Sequence, residues 1–180
     1  MAAMTELVTA HTSALGPASL AAIRRLLDDA FEGDFSDEDW DHTLGGMHAL
    51  LWDGDELVAH AALVQRRLLH GGRALRTGYV EGVATRADRR RRGYGSAVMG
   101  ALDPVLRGAY ELGALSAAEE AAALYASLGW QRWQGATSVL APGGVERTEE
   151  DDDSTFVMPL TVPVDLTGEL ICDWRDGDVW

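Results

Sequence analysis

The sequence contains no lysine: all 15 of its basic residues are arginines, set against 29 acidic residues for a formal net charge of −14. That balance makes nucleic acid a poor partner. Cysteine is almost as scarce. Cys172 is the single example, so no internal disulfide and no cysteine-based metal site can form, which fits a reducing cytoplasm. No apolar run approaches the roughly 20 residues of a membrane span. The N-terminal MAAMTELVTAHTSALG lacks the basic start and sustained apolar stretch of a secretion signal. The expectation is a soluble, unexported, cytoplasmic protein without a membrane partner. His11, His42, His48, His60 and His70 show no ligand-like spacing, so they read as structural or solvent-exposed and no metal is expected.

What the sequence does contain is an ordinary globular composition. Apolar residues make up 47% and charged residues 24% of 180 residues, which suits one domain over residues 1–180 with its own core. Residues 17–30, PASLAAIRRLLDDA, carry apolar groups at helical spacing behind a first-turn proline. A short helix is expected after Ser36, where SDED nearly makes a capping box. Strands are predicted at 47–52, 56–67 and 73–84, joined by turns at Asp53-Gly54 and Gly71-Gly72, as an antiparallel meander. A long helix follows from about Gly93, which Pro104 should kink. Then come a strand at 113–115, an alanine-rich helix at 117–128, and short strands near 130–141 and 154–160 around the turn-rich, acidic APGGVERTEEDDD.

The segment that points to chemistry joins the third strand to the long helix. Five arginines, Arg86, Arg89, Arg90, Arg91 and Arg92, crowd into an otherwise acidic chain just before Gly93-Tyr94-Gly95-Ser96. A glycine-rich turn feeding a helix N-terminus presents unpaired N–H groups and partial positive charge. Glycine lets the backbone approach phosphate oxygens, and arginines add bidentate contacts. The pattern describes a pyrophosphate cradle.

Arg90-x-x-Gly93-x-Gly95 resembles the cofactor motif of the GCN5-related N-acetyltransferase (GNAT) family, and Tyr125-Ala126-Ser127-Leu128-Gly129-Trp130 resembles the family's later Tyr-x-x-x-Gly-aromatic element. The blocks DFSDEDWDHTLGGMHAL, GYVEGVA, RGAYELGALS, TSVLAP and CDWRDGDVW extend the similarity over nearly the whole chain, toward the aminoglycoside 2′-N-acetyltransferases of mycobacteria. The resemblance implies an α/β fold with a mixed, mostly antiparallel central sheet, splayed central strands and flanking helices. It implies acetyl-CoA as co-substrate and CoA as product. The backbone of Val83, Ala84 and Thr85 would pair with the pantetheine arm, and Arg90, Arg91, Arg92, Gly93, Tyr94 and Gly95 would hold the pyrophosphate.

Direct acetyl transfer needs a base for the attacking amine and an acid for the departing sulfur. The resemblance puts Glu81 in the first role, acting through water, with the Trp180 carboxylate able to share it, and Tyr125 in the second. A polycationic acceptor needs converging carboxylates. The resembling enzymes use Asp34, Glu81, Asp151, Asp152, Asp178 and Trp180 for this, with Ser116 and the backbone of Gly82. The family resemblance further implies a homodimer. Two other readings compete: an acetyltransferase for a different amine, such as a cell-wall aminosugar, a polyamine or a thiol-sugar precursor, and a binding module that holds CoA without turnover.

Overall fold

Strand β1, Thr5–His11, opens a computed structural model in which residues 4–180 are described. The chain forms two compact units, residues 1–64 with 80–105, and residues 65–79 with 106–180.

In the first unit β1 pairs antiparallel with β2, Met47–Asp53, along its full length. β2 pairs with β3, Glu56–His70, through a turn at Gly54, whose φ is +62°. Helix α1, Pro17–Ala30, begins and ends where the proline and the apolar spacing place it. It buries Ile23, Leu26 and Leu27 against Leu50, Leu57 and Ala84, the last of these on β4, Arg73–Thr85. Helix α2, Asp37–His42, has the full capping box: Ser36 Oγ accepts from Asp39 N at 3.0 Å, and Asp39 Oδ2 accepts from Ser36 N at 2.9 Å.

Helix α3, Tyr94–Ala109, continues through Pro104. Proline removes one intrahelical donor, but Val98, Leu102 and Leu106 stay buried along its inner face. That apolar stripe outweighs one missing hydrogen bond.

In the second unit the strand order is β6-β9-β5-β4-β3-β10-β7-β8, with β5 at Leu112–Ser116, β6 at Gln131–Arg132, β7 at Thr137–Ala141, β8 at Gly144–Arg147, β9 at Thr155–Pro159 and β10 at Leu170–Asp173. β5 runs parallel to β4 and β10 parallel to β7, while β5–β9, β6–β9 and β7–β8 are antiparallel. The β4–β5 ladder ends at Tyr79 and Ala114 although both strands continue, β5 going on to Ser116 against β9. The sheet is therefore mixed and mostly antiparallel, with two central strands that part company, as the resemblance implies.

The expected helix at 117–128 is shorter than its alanines suggest. Ala117 N donates to Ser154 O at 2.9 Å, and Ala118 is extended, so only a 3-10 turn at Glu119–Ala121 and helix α4 at Ala122–Ser127 form. β1, β8 and β10 were not anticipated. No helix among the described residues is long and apolar enough to cross a membrane.

Candidate active site

The end of β4 leads into the cradle. Arg86 N donates to Val58 O at 2.9 Å, a 3-10 turn spans Ala87–Arg89, and Arg91 and Gly93 both adopt the left-handed region, with φ of +62° and +77°. Successive N–H groups in such a turn converge into an anion-binding concavity. The first helical bond of α3 is Ala97 N to Gly93 O, 3.0 Å. The N–H groups of Tyr94, Gly95 and Ser96 precede it, and the positive end of the helix dipole lies there. Nothing stands within 4 Å of where a Gly93 Cβ would be, so this glycine answers to backbone conformation and open approach rather than to packing.

The arginine cluster divides. Arg86 is bonded to Glu56 and, at 2.8 Å, to Asp88, and Arg89 reaches Asp53 at 3.4 Å and Asp88 at 3.2 Å. These two brace the loop. Arg90, Arg91 and Arg92 are exposed.

On the same strand Glu81, Gly82, Val83 and Thr85 are half-buried and Ala84 is buried. The carbonyl of Gly82 receives 2.7 Å contact from His60 Nδ1. His60 and His48 are both buried, 2.9 Å apart through ring nitrogens; neither was singled out as functional from the sequence. The buried run LVAHAALV around His60 was the available signal, because an imidazole inside an apolar strand demands partners. Asp34, just beyond α1, is exposed.

The second unit carries the remaining candidates. Tyr125, on α4, is 5% exposed, with its ring 6.1 Å from that of Phe156, and burial pushes its hydroxyl up to about 12. It therefore stays protonated at any working pH. Ser116, exposed at the end of β5, lies 3.3 Å from Ser154 through their hydroxyls.

Asp151 and Asp152 sit in one acidic turn with opposite fates. Burial first, then the charges of Asp178, Glu150 and Asp152, push the Asp151 carboxyl up to about 6. The Arg147 guanidinium, 2.9 Å from Asp152 Oδ2, holds that carboxylate well below its usual range, helped by Thr137, whose N and Oγ1 donate to Oδ1 at 2.9 and 2.7 Å. Asp152 thus fastens the turn, whereas Asp151 carries charge that the fold does not balance.

Residues 173–180 are docked. Arg66, 4% exposed, donates to Asp173 Oδ1 at 2.7 Å and to the carbonyls of Asp173 and Val179 at 2.9 and 2.8 Å, while its guanidinium lies 4.6 Å over the Tyr79 ring. Trp180 is 4% exposed and its Nε1 donates to Thr148 Oγ1 at 2.9 Å. Asp178 is exposed; its carbonyl accepts from Arg175 and its Oδ1 from Trp180 N. Arg66 escaped the sequence reading, although the alternation Val64, Arg66, Leu68 sets it on the inward register of β3.

Comparison with known proteins places the fold. Residues 12–133 match the acetyltransferase (GNAT) domain family. Two solved structures share the fold: a GNAT family acetyltransferase from Brucella melitensis in complex with acetyl-CoA (TM-score 0.62, 14% identity, 93% of this chain and 95% of that one) and Escherichia coli ElaA (TM-score 0.61, 21% identity, 86% and 99%). The chain belongs to the GNAT family and is an acetyltransferase. Within that family it is similar to the aminoglycoside 2′-N-acetyltransferase of Mycolicibacterium fortuitum, 57% identical over 174 residues that cover 94% of this chain and 89% of that protein.

Proposed function

We propose that this protein transfers an acetyl group from acetyl-CoA directly to the 2′-amine of aminoglycosides, and so confers resistance to them. The 57% identity to the Mycolicibacterium fortuitum enzyme along nearly the whole chain carries this reading. The left-handed turn at Arg91 and Gly93 ahead of α3 supports it independently as a place for the CoA pyrophosphate.

The proposed chemistry is one displacement. The neutral amine attacks the thioester carbonyl carbon, the new C–N bond forms as C–S breaks, one proton leaves the amine and one reaches the sulfur. Glu81 takes the first through water, with the Trp180 carboxylate able to share the role, and Tyr125 supplies the second. Exposed Arg90, Arg91 and Arg92 with the backbone of Gly93, Tyr94 and Gly95 hold the pyrophosphate; Val83, Ala84 and Thr85 hold the pantetheine arm. Asp34, Asp151, Asp152 and Asp178 attract the cationic acceptor, with Ser116 and the Gly82 backbone as polar contacts, and Asp152 also keeps its turn in place. A protonated Tyr125 and an acidic chain of formal net charge −14 suit these roles.

The same reading has residues 1–180 working as one acetyltransferase domain, in the cytoplasm and as a homodimer. A buried free Cys172 accords with a reducing compartment, and light scattering coupled to size exclusion tests the dimer. The deciding assay follows CoA thiol release with two aminoglycosides that differ only in a 2′-amine or a 2′-hydroxyl. Turnover with the amine alone, and acetylation at 2′ by NMR, is the expected result. Turnover with both, or with neither, overturns the proposal.

A further inference from the structure

Gly82 is constrained from several sides. Its φ is +56°, and an added Cβ would stand 2.9 Å from Thr43 Cγ2, 3.4 Å from Leu27 Cδ1 and 3.5 Å from His60 Cε1. Its carbonyl is the terminus of a hydrogen-bonded chain whose two imidazoles are buried and whose ends are half-buried. His60 Nδ1 is 2.7 Å from that oxygen, His60 Nε2 is 2.9 Å from His48 Nδ1, and His48 Nε2 is 2.7 Å from Thr12 Oγ1.

The chain has a single polarity. A carbonyl only accepts, so His60 Nδ1 must carry the hydrogen. Burial holds both rings neutral, lowering His60 to about 3 and His48 to about 4, and a neutral ring owns one N–H. His60 Nε2 is therefore bare and accepts from His48 Nδ1. His48 Nε2 is bare in turn and accepts from the Thr12 hydroxyl, which Gly45 N anchors from outside at 2.9 Å. The Thr12 hydroxyl also lies 3.3 Å from Gly46 O, but its 2.7 Å contact with His48 is the shorter, and the direction runs inward to Gly82.

Where the chain ends is what matters. Gly82 follows Glu81 directly, so fixing its left-handed backbone sets the direction in which the Glu81 side chain leaves the strand. A hydrogen bond of 2.7 Å inside an apolar strand pair does this more sharply than packing alone, because burial raises the penalty for leaving any member unpaired.

We infer that His60, backed by His48 and Thr12, is a positioning residue for acetyl transfer: by locking the Gly82 carbonyl it aims Glu81 at the proton of the acceptor amine. The inference rests on Glu81 as the general base. A base displaced by even about 1 Å loses up to about a hundredfold in rate, and that loss falls on kcat rather than on KM for acetyl-CoA.

Two nearly isosteric amides separate the ends of the ring. In His60→Asn the side-chain nitrogen overlays Nδ1 and keeps the Gly82 bond; in His60→Gln the amide overlays Nε2, keeping His48 and losing Gly82. The expected result is kcat within about threefold of native for His60→Asn and about tenfold or more below it for His60→Gln, with KM for acetyl-CoA within about twofold in both. In a Glu81→Gln background His60→Gln should add less than about twofold, because there is no base left to aim. Equal rates for the two amides, the reverse order, or a full multiplicative loss on top of Glu81→Gln would overturn the inference while leaving the base in place. Glu81→Gln at native kcat would instead overturn the base reading and the inference with it. Should neither amide fold, Thr12→Val decides at the outer end of the chain: kcat about two- to fivefold lower supports the inference, and unchanged kcat overturns it.

Discussion

The indole of Trp180 is joined to the carboxylate of Asp152 by two threonine hydroxyls. Trp180 Nε1 donates to Thr148 Oγ1 (2.9 Å), Thr148 to Thr137 Oγ1 (3.0 Å), and Thr137 to Asp152 Oδ1 (2.7 Å). Thr137 and Thr148 are buried, so the first two links lie away from water while Asp152 is partly exposed, and residues 173–180 depend on an acidic turn distant in sequence.

Thr148→Val keeps the shape and removes the central hydroxyl. It should destabilise the protein by about 1–3 kcal/mol, because the Trp180 N–H is left unpaired in a buried site. A melting point lowered by roughly 2–10 °C, with a higher KM for the aminoglycoside, is expected from differential scanning fluorimetry and initial rates. An unchanged melting point would show that residues 173–180 stay docked without the Thr148 hydroxyl.

Asp151→Asn should improve stability and harm binding. The Asp151 carboxyl is raised from 3.8 to about 6 in the fold. The folded chain thus takes up a proton more readily than the unfolded one between those values. The associated stability is complete below 3.8 and lost as pH rises through about 6. At pH 8 the asparagine variant should melt a few degrees higher, roughly 2–4 °C, while KM for the acceptor rises severalfold. For the native protein, acceptor KM should climb as pH falls below about 6 and the charge at Asp151 is quenched. A lower melting point at pH 8 would refute the assignment.

His48 and His60 predict acid lability of a particular kind. Both are neutral in the fold, lowered from 6.5 to about 4 and about 3, so the unfolded chain binds their protons first. Stability is fully present above 6.5 and falls as pH drops toward those folded values, by at most about 1.4 kcal/mol per ring per pH unit. Asp151 opposes this over part of the range. Urea midpoints at pH 7 and pH 5 should differ clearly, and the difference should shrink in His48→Gln.

Two glycines should respond differently to alanine. Gly82→Ala meets Thr43 at 2.9 Å in a left-handed backbone, whereas Gly93→Ala has the same backbone strain and open space. Gly93→Ala should cost about 1–2 kcal/mol and raise KM for acetyl-CoA; Gly82→Ala should cost more and lower kcat. Equal stability losses in the two variants would contradict the packing described around Gly82.

Removing Arg90, Arg91 and Arg92 together as glutamines should raise KM for acetyl-CoA by roughly tenfold, steeply dependent on salt in the native protein, with acceptor KM unchanged. Arg86→Gln should spare KM, because that side chain holds Glu56 and Asp88 instead. The reverse pattern would reassign the two halves of the cluster.

Much of this architecture could be read directly. Pro17, the Ser36 box, and the glycine turns at Gly54, Gly71 and Gly72 are local signals, and the elements they bound lie where expected. The cradle was legible for the same reason, since its motif is contiguous from Arg90 to Gly95. What stayed hidden depends on partners far along the chain. β10 is four residues long and exists because β7 and β3 flank it. The alanine-rich segment near 117 gives up its first turn to Ser154. The clamp of Arg147 and Thr137 on Asp152 could not be placed in advance either. His60 and Arg66 sit inside apolar strands, where only the folded register shows what each of them holds.

Cys172 offers a practical dividend. The thiol is fully buried, burial pushes it up to about 11, and its Sγ lies 3.3 Å from the Val179 carbonyl of the docked tail. Thiolate chemistry is closed to it while the tail is down, so dyes that count liberated CoA read product with no blank from the protein itself. Any opening that exposes the sulfur would be read by the rate of its alkylation, in the native chain without any engineered label.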